Sequence, residues 1–122
     1  QNSHFICITP YEAKFPFEVC VLPTTQTANF CDSETHFDRL ADIMRIVFRK
    51  LKKLFGYMPP FNSFIEEAPP KKLHDCNEFF CWRYRIMPRL TMIAGFELAT
   101  ALYVNPTSPE ECAKMLRETQ ID

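Results

Sequence analysis

The stretch FFCWRYRIMPRLTMIAGFE, residues 79–97, gathers the side chains most able to do chemistry. Cys81, Arg83 and Arg85 alternate there with Phe80, Trp82, Tyr84 and Ile86. A period of two places the two sets on opposite faces of a strand, one apolar and one bearing a thiol and two guanidiniums. Arginine suits two-point contact with phosphate or carboxylate, so the polar face is either an anion site or an ion-paired one. The preceding strand, FNSFIEEA (61–68), offers the partner. Its Asn62, Phe64 and Glu66 share a face, and Glu66 can pair across the sheet with Arg83 or Arg85. The structural pair is the preferred reading, worth roughly 0–1 kcal/mol if half exposed.

Other chemistries are less well served. His74, Cys76 and Cys81 make an H-x-C-x4-C cluster, and Cys31 with His36 makes a second soft pair. Zinc sites usually bring four N or S ligands at tighter spacing, so ordinary loop or buried residues are preferred for both, with Cys81 the one weak metal candidate. The chain has three histidines, His4, His36 and His74. None lies on a strand beside a Ser or Cys in a recognisable nucleophilic arrangement, which argues against a self-contained enzyme.

The elements that must position these groups follow from periodicity. HFICITPY (4–11) and FEVCVLPT (17–24) read as neighbouring strands joined by a turn. From about Asp32 the period lengthens. Phe37, Leu40, Ala41, Met44, Val47, Phe48, Leu51, Leu54 and Phe55 recur at three and four residues and predict a long amphipathic helix. Ser33 or Thr35 can cap its start. Lys50, Lys52 and Lys53 suit its end, and Gly56 stops it.

Pro59-Pro60 then precedes the strand 61–68, Pro69 to Asn77 reads as a polar loop, and the opening stretch follows as a fourth strand. After a turn at Ala94-Gly95, FELATALYV (96–104) reads as a fifth strand. Ser108, Pro109 and Glu111 open a short C-terminal helix as a capping box, with proline at the first helical position. The predicted class is α+β: an antiparallel sheet of about five strands on one long helix, plus the short C-terminal one.

Bulk properties narrow the function. A chain of 122 residues that is 47% hydrophobic is expected to form a single domain, residues 1–122, with a real core. A formal net charge of −1 gives no electrostatic reason to expect a nucleic-acid partner. No apolar run approaches the roughly eighteen residues a membrane helix needs, so no membrane partner is expected. Six cysteines with no CxxC, two of them (Cys7 and Cys20) inside apolar strands, predict reduced, mostly buried thiols in a cytoplasmic protein.

PRLTMIAGFELATALYVNPTSPEECAKMLRE (88–118) resembles the C-terminal half of the galactose-1-phosphate uridylyltransferase family, within the histidine-triad superfamily, and the plant ADP-glucose phosphorylase branch in particular. The resemblance extends over about residues 3–118. HFICITPYEAKFPFEVCVLP is similar to a strand pair ending in P-F-E-x-W-I-x-P, and FNSFIEEAPP to Y-N-x-x-I-H-T-x-P. Residues 81–97 are similar to a strand and turn of the form H-W-(H/F)-x-(E/Q)-I-x-P-(R/Q)-L-x-x-x-x-G-F-E.

The resemblance implies a histidine-triad-like fold and nucleotidyl transfer between a nucleotide sugar and a phosphate acceptor. It places the nucleophilic histidine in an N-terminal half that these residues do not include. The implied partners are that half, a second copy in a homodimer, and a nucleotide sugar or sugar phosphate. By position Gly95, Phe96, Glu97 and Thr100 match the family's G-F-E-x-x-T stretch, and Arg89 follows its proline. Glu97 beside Ala99 and Ala101 reads as a carboxylate over a small-residue floor, suited to sugar hydroxyls.

The departures are concentrated on the polar face. Where zinc-bearing members place histidines, this sequence has Gln26 and Cys81, and their CxxC is not in the chain. The family's H-T is Glu66-Glu67, and Arg83 and Arg85 replace its His (or Phe) and Glu (or Gln). This predicts no cofactor in these residues, zinc being a property of full-length relatives. It also makes a non-catalytic dimerisation or nucleotide-sugar-binding module the alternative function.

Overall fold

A computed structural model describes residues 1–70 and 76–122, the side chains of Glu34 and Thr35 excepted. The elements are β1 (Phe5–Ile8), β2 (Val19–Pro23), a 3-10 helix (Phe30–His36), α1 (Phe37–Phe55), β3 (Phe61–Glu66), β4 (Arg83–Pro88), α2 (Gly95–Thr100) and α3 (Pro109–Glu118). The strands form one antiparallel sheet in the order β1-β2-β4-β3. The α+β class and the long helix are those the sequence predicts. Among the described residues the strand count is four rather than five.

Helix α1 turns Leu40, Ile43, Val47 and Leu51 onto the sheet, at intervals of three and four residues. They meet the alternate residues of the strands. Phe17, Val19, Ile86 and Cys112 surround Val47 and Leu51, while Phe5, Val21 and Trp82 surround Leu40 and Ile43. The apolar half of the 79–97 alternation is therefore core, with Trp82 and Ile86 fully buried. Lys50 crosses to α3 and donates to the carbonyls of Leu116, Arg117 and Thr119 at 2.7, 3.3 and 2.9 Å. A cation at a helix C-terminus both satisfies orphan carbonyls and opposes the helix dipole.

Neither Ser33 nor Thr35 sits at the N-cap of α1. His36 occupies that position without a side-chain cap bond, because the 3-10 turn intervenes. Ser33 is buried instead and accepts the Trp82 indole N–H at 3.0 Å; the side chain of Thr35 lies outside the described part. At the other end Gly56 adopts φ +76°, the left-handed stop. A side chain there would meet nothing within 4 Å, so Gly56→Ala should cost only the conformational penalty, about 1 kcal/mol, read as a lower urea midpoint with unchanged slope.

The predicted fifth strand is absent. Gly95–Thr100 is a short helix and residues 101–107 run without regular structure. Glu97, at the third helical position, reaches back to accept the Ala94 N–H at 3.1 Å, closing the first turn. Glu, Leu and Ala in succession favour helix, and that local preference wins because the segment pairs with neither edge of the sheet. Helix α3 forms where predicted, with Ser108 accepting the Glu111 N–H at 3.1 Å, the N-cap half of the expected capping box.

Candidate functional site

The polar face of the sheet is built by register. Arg85 lies opposite Cys20 on β2 and Phe64 on β3, and Arg83 lies opposite Glu66. Antiparallel partners point the same way, so these five side chains share one face. Above them arches the loop between β1 and β2. Within it Phe17 has φ +59°, a left-handed conformation that costs a non-glycine residue about 1–2 kcal/mol. The kink sends Phe17 into the core against Phe55 and lets Glu18 reach Arg85 on the polar side.

Two guanidiniums and three carboxylates interlock there. Arg85 donates to Glu18 Oε1 at 2.9 Å and to Glu12 Oε1 at 2.7 Å. Its Nε and that of Arg83 lie 3.2 and 2.9 Å from Glu66 Oε2. Neither Nε–H is aligned to donate, so these two contacts are attraction between charges rather than hydrogen bonds. Arg83 also donates a longer bond to Glu66 Oε1 at 3.4 Å. The Glu18 side chain is wholly buried and its second oxygen takes the Lys14 N–H at 2.9 Å. Glu66 is the partner foreseen from sequence. Glu12 and Glu18 were not, and the one signal for Glu18 was a lone acid between the apolar runs FPF and VCV.

Charge states follow from this packing. Burial opposes the Arg85 charge, but Glu18, Glu66, Cys20 and Glu12 outweigh it and push its pKa up. Burial pushes the Cys20 thiol up to about 11 despite the adjacent arginines, so it is a neutral wall rather than a nucleophile. The Glu12 carboxyl is held below its ordinary 4.5, first by a hydrogen bond from its own backbone N–H and then, against desolvation, by Arg85 and Arg83. A lowered carboxyl pKa stabilises the fold above the unfolded value, and that contribution is lost as pH falls through the folded value. Melting curves should therefore show a stability loss below about pH 4.5 that is smaller in Glu12→Gln.

Beyond this network the same face opens into a cleft of about 510 Å³. Phe15, Asn62, Met87, Arg89, Thr91, Met92 and Ile93 line it. Asn62 and Met87 are register partners one pleat from the Phe64–Arg85 pair, so the cleft continues the polar face. Arg89, exposed, is held through its backbone N–H to the Pro60 carbonyl at 2.7 Å. Of the five substrate residues inferred from resemblance, the fold brings only Arg89 to the cleft wall. Gly95, Phe96, Glu97 and Thr100 ride on α2, which buries no residue. Glu97 does not stand over Ala99 and Ala101 on a strand; it caps its own helix. Thr100 likewise donates to the Phe96 carbonyl at 2.8 Å.

All six cysteines are free: Cys20, Cys76 and Cys112 buried, Cys7 and Cys81 half-buried, Cys31 exposed. Among the described residues no three His, Cys, Asp or Glu side chains converge as metal ligands, and His74 lies outside them. The polar face does not fit zinc, because a dication there would face two guanidiniums whose carboxylates are already engaged. His4 and His36 stack on each other, ring centroids 3.9 Å apart, and neither lines the cleft. No described helix is long and apolar enough to cross a membrane.

No protein-family model matches the chain. Among curated proteins it is 30% identical, over 99% of its length, to ADP-glucose phosphorylase of Arabidopsis thaliana, and 29% identical, over all of it, to galactose-1-phosphate uridylyltransferase of Thermotoga maritima. It spans 34% and 40% of those proteins, so it corresponds to a part of each. The crystal structure of the Arabidopsis ADP-glucose phosphorylase with bound ADP-glucose superposes with a TM-score of 0.92 over 99% of this chain and 39% of that one, at 30% identity. A zinc-bound histidine triad family protein from Mycobacterium smegmatis shares the fold, with a TM-score of 0.64, 16% identity, and 98% and 79% of the two chains covered. The chain is thus histidine-triad-like in fold, and its homologues are hexose-1-phosphate nucleotidyltransferases.

Proposed function

We propose that these 122 residues are one histidine-triad-like unit of a larger hexose-1-phosphate nucleotidyltransferase, the unit that shapes the sugar-phosphate end of the site. The observation that carries this is whole-length homology to enzymes two and a half to three times longer, with a polar cleft on the matched fold. The reaction moves a nucleotidyl group from a nucleotide sugar to a phosphate acceptor. The nucleophilic histidine belongs to the remainder of the protein. The cleft supplies recognition. The Arg89 guanidinium faces a phosphate, Asn62 and Thr91 exchange hydrogen bonds with sugar hydroxyls, and Phe15 offers an apolar wall. Phe96 and Glu97, outward on α2, close over the ligand from a neighbouring copy.

Two surfaces support the partners. Strand β3 is a sheet edge whose residues 61–65 are all exposed, with Phe61, Phe64 and Ile65 presenting apolar surface on both faces. An edge of this kind, exposed and charged only at its Glu66 end, is a pairing site, and the rest of the polypeptide is its natural occupant. The segment 92–104 exposes Met92, Phe96, Leu98, Leu102 and Val104 and suits the second copy of a homodimer. The setting proposed is cytoplasmic, where free thiols persist.

One finding favours a second reading, a module that binds or assembles without catalysing. The ion-pair network fills the positions where the resembling family keeps histidines, and it leaves no room for a metal. Calorimetric titration with ADP-glucose, UDP-glucose and glucose 1-phosphate tests both. Binding weakened about tenfold by Arg89→Gln, without turnover by the 122 residues alone, is the expected result. Unchanged affinity in Arg89→Gln removes the cleft from the site, and turnover by the chain alone overturns the division of labour.

A further inference from the structure

We infer that a slot between β1, α1 and α3 binds a small anionic amphiphile, a medium-chain monocarboxylate, with its chain in the slot and its head group at Arg117. The slot measures about 530 Å³, within the range of small-molecule sites, and it shares no lining residue with the cleft beside Phe15. Its aliphatic walls are Ile43, Ile46 and Val47 from α1 and Leu116 from α3, with the outer edge of β1 at Cys7 closing the third side. Ile43 and Val47 are buried at its floor, while Ile46 is 40% exposed at its mouth.

Its ends are closed, which selects against a peptide lying along the sheet edge. At one end Asn2 folds back. Its side-chain oxygen takes the Phe5 N–H at 2.8 Å, and its own N–H donates to the Phe5 carbonyl at 2.9 Å, occupying the outward backbone groups a visiting strand would need. At the other, the Thr9 hydroxyl donates to the Pro109 carbonyl at 2.9 Å, tying the strand end to α3, and Pro10 follows. Only the backbone of Cys7 remains turned outward between them, by the alternation of the ladder.

Charge selects the head group. No Asp or Glu lines the slot; its two charged side chains are Lys50 and Arg117. Lys50 spends its ammonium on three carbonyls at the end of α3, whereas Arg117 makes no ion pair among the described residues. The Cys7 thiol on the wall stays neutral, burial having pushed it up to about 12, so nothing there repels an anion. An apolar slot with a free guanidinium at its rim takes an acyl chain ending in one carboxylate.

Calorimetric titration of the 122-residue chain with octanoate and with octanol is the test. Saturable one-to-one binding of octanoate is expected, about tenfold weaker in Arg117→Gln, with octanol binding unchanged by that variant. Ala113→Phe, which fills the slot, should abolish both. Should Ala113→Phe fail to fold by circular dichroism, the octanoate-to-octanol ratio in Arg117→Gln decides alone. Absence of saturable octanoate binding, or an equal response of both probes to Arg117→Gln, overturns the inference.

Discussion

Replacing Arg85 by Met should destabilise the fold by about 3–5 kcal/mol, the usual cost of removing one partner of a buried ion pair. The Glu18 side chain is entirely out of solvent and that of Arg85 only 11% exposed, so the variant strands a carboxylate with one backbone N–H for company. The loss should appear as a melting temperature lower by on the order of 10–20 °C. The double variant Arg85→Met, Glu18→Leu should regain most of it, because desolvating two charges consumes much of their attraction. A loss under 1 kcal/mol in the single variant would show that the loop over the sheet, residues 9–18, does not rest on this pair. The cleft should respond as well. Phe15 sits three residues before Glu18, and loosening the loop should weaken sugar-phosphate binding even where Arg89 is intact.

Trp82→Ala should be as damaging, again about 3–5 kcal/mol, by leaving a cavity where the largest fully buried side chain stood. The indole packs edge-on against Phe30, with centroids 4.9 Å apart, and tilted against Phe5 at 6.0 Å, so the 3-10 helix and β1 lose their common neighbour. Its N–H also holds the Ser33 hydroxyl. Trp82→Phe separates the two contributions. It keeps most of the apolar contact, leaves Ser33 without its donor, and should cost only about 1–3 kcal/mol. Chemical denaturation of the three proteins measures both steps. If Phe and Ala are equivalent, the hydrogen bond rather than the volume dominates.

These two residues mark where sequence reading succeeds and where it stops. Trp82 and Ile86 against Arg83 and Arg85 are adjacent in the chain, and alternation alone assigns them to core and polar faces. Leu40, Val47 and Leu51 of the helix stripe, the Gly56 stop and the Ser108 cap are legible for the same reason, each being settled within a few residues by backbone geometry, whereas buried Ile43 lies outside the predicted stripe. Residues 96–104 carry a period-two pattern that predicts a strand, but the same run favours helix, and Gly95–Thr100 is helical. A strand also needs an edge to pair with, and no local signal reveals whether one is free. The carboxylates that complete the polar face, Glu12 and Glu18, were illegible because they arrive on a loop 67 to 73 residues away in sequence from Arg85.

By itself, then, the sequence determined the faces of the strands, the buried side of the long helix and the family resemblance, all carried by spacing along the chain. The tertiary structure alone decided how many strands join the sheet, which acids answer the two arginines, and that Glu97 caps a helix while Arg89 borders the cleft. The reason is physical. Periodicity and caps are short-range properties of covalent geometry, whereas charge neutralisation and cavity formation depend on which distant segments are desolvated together.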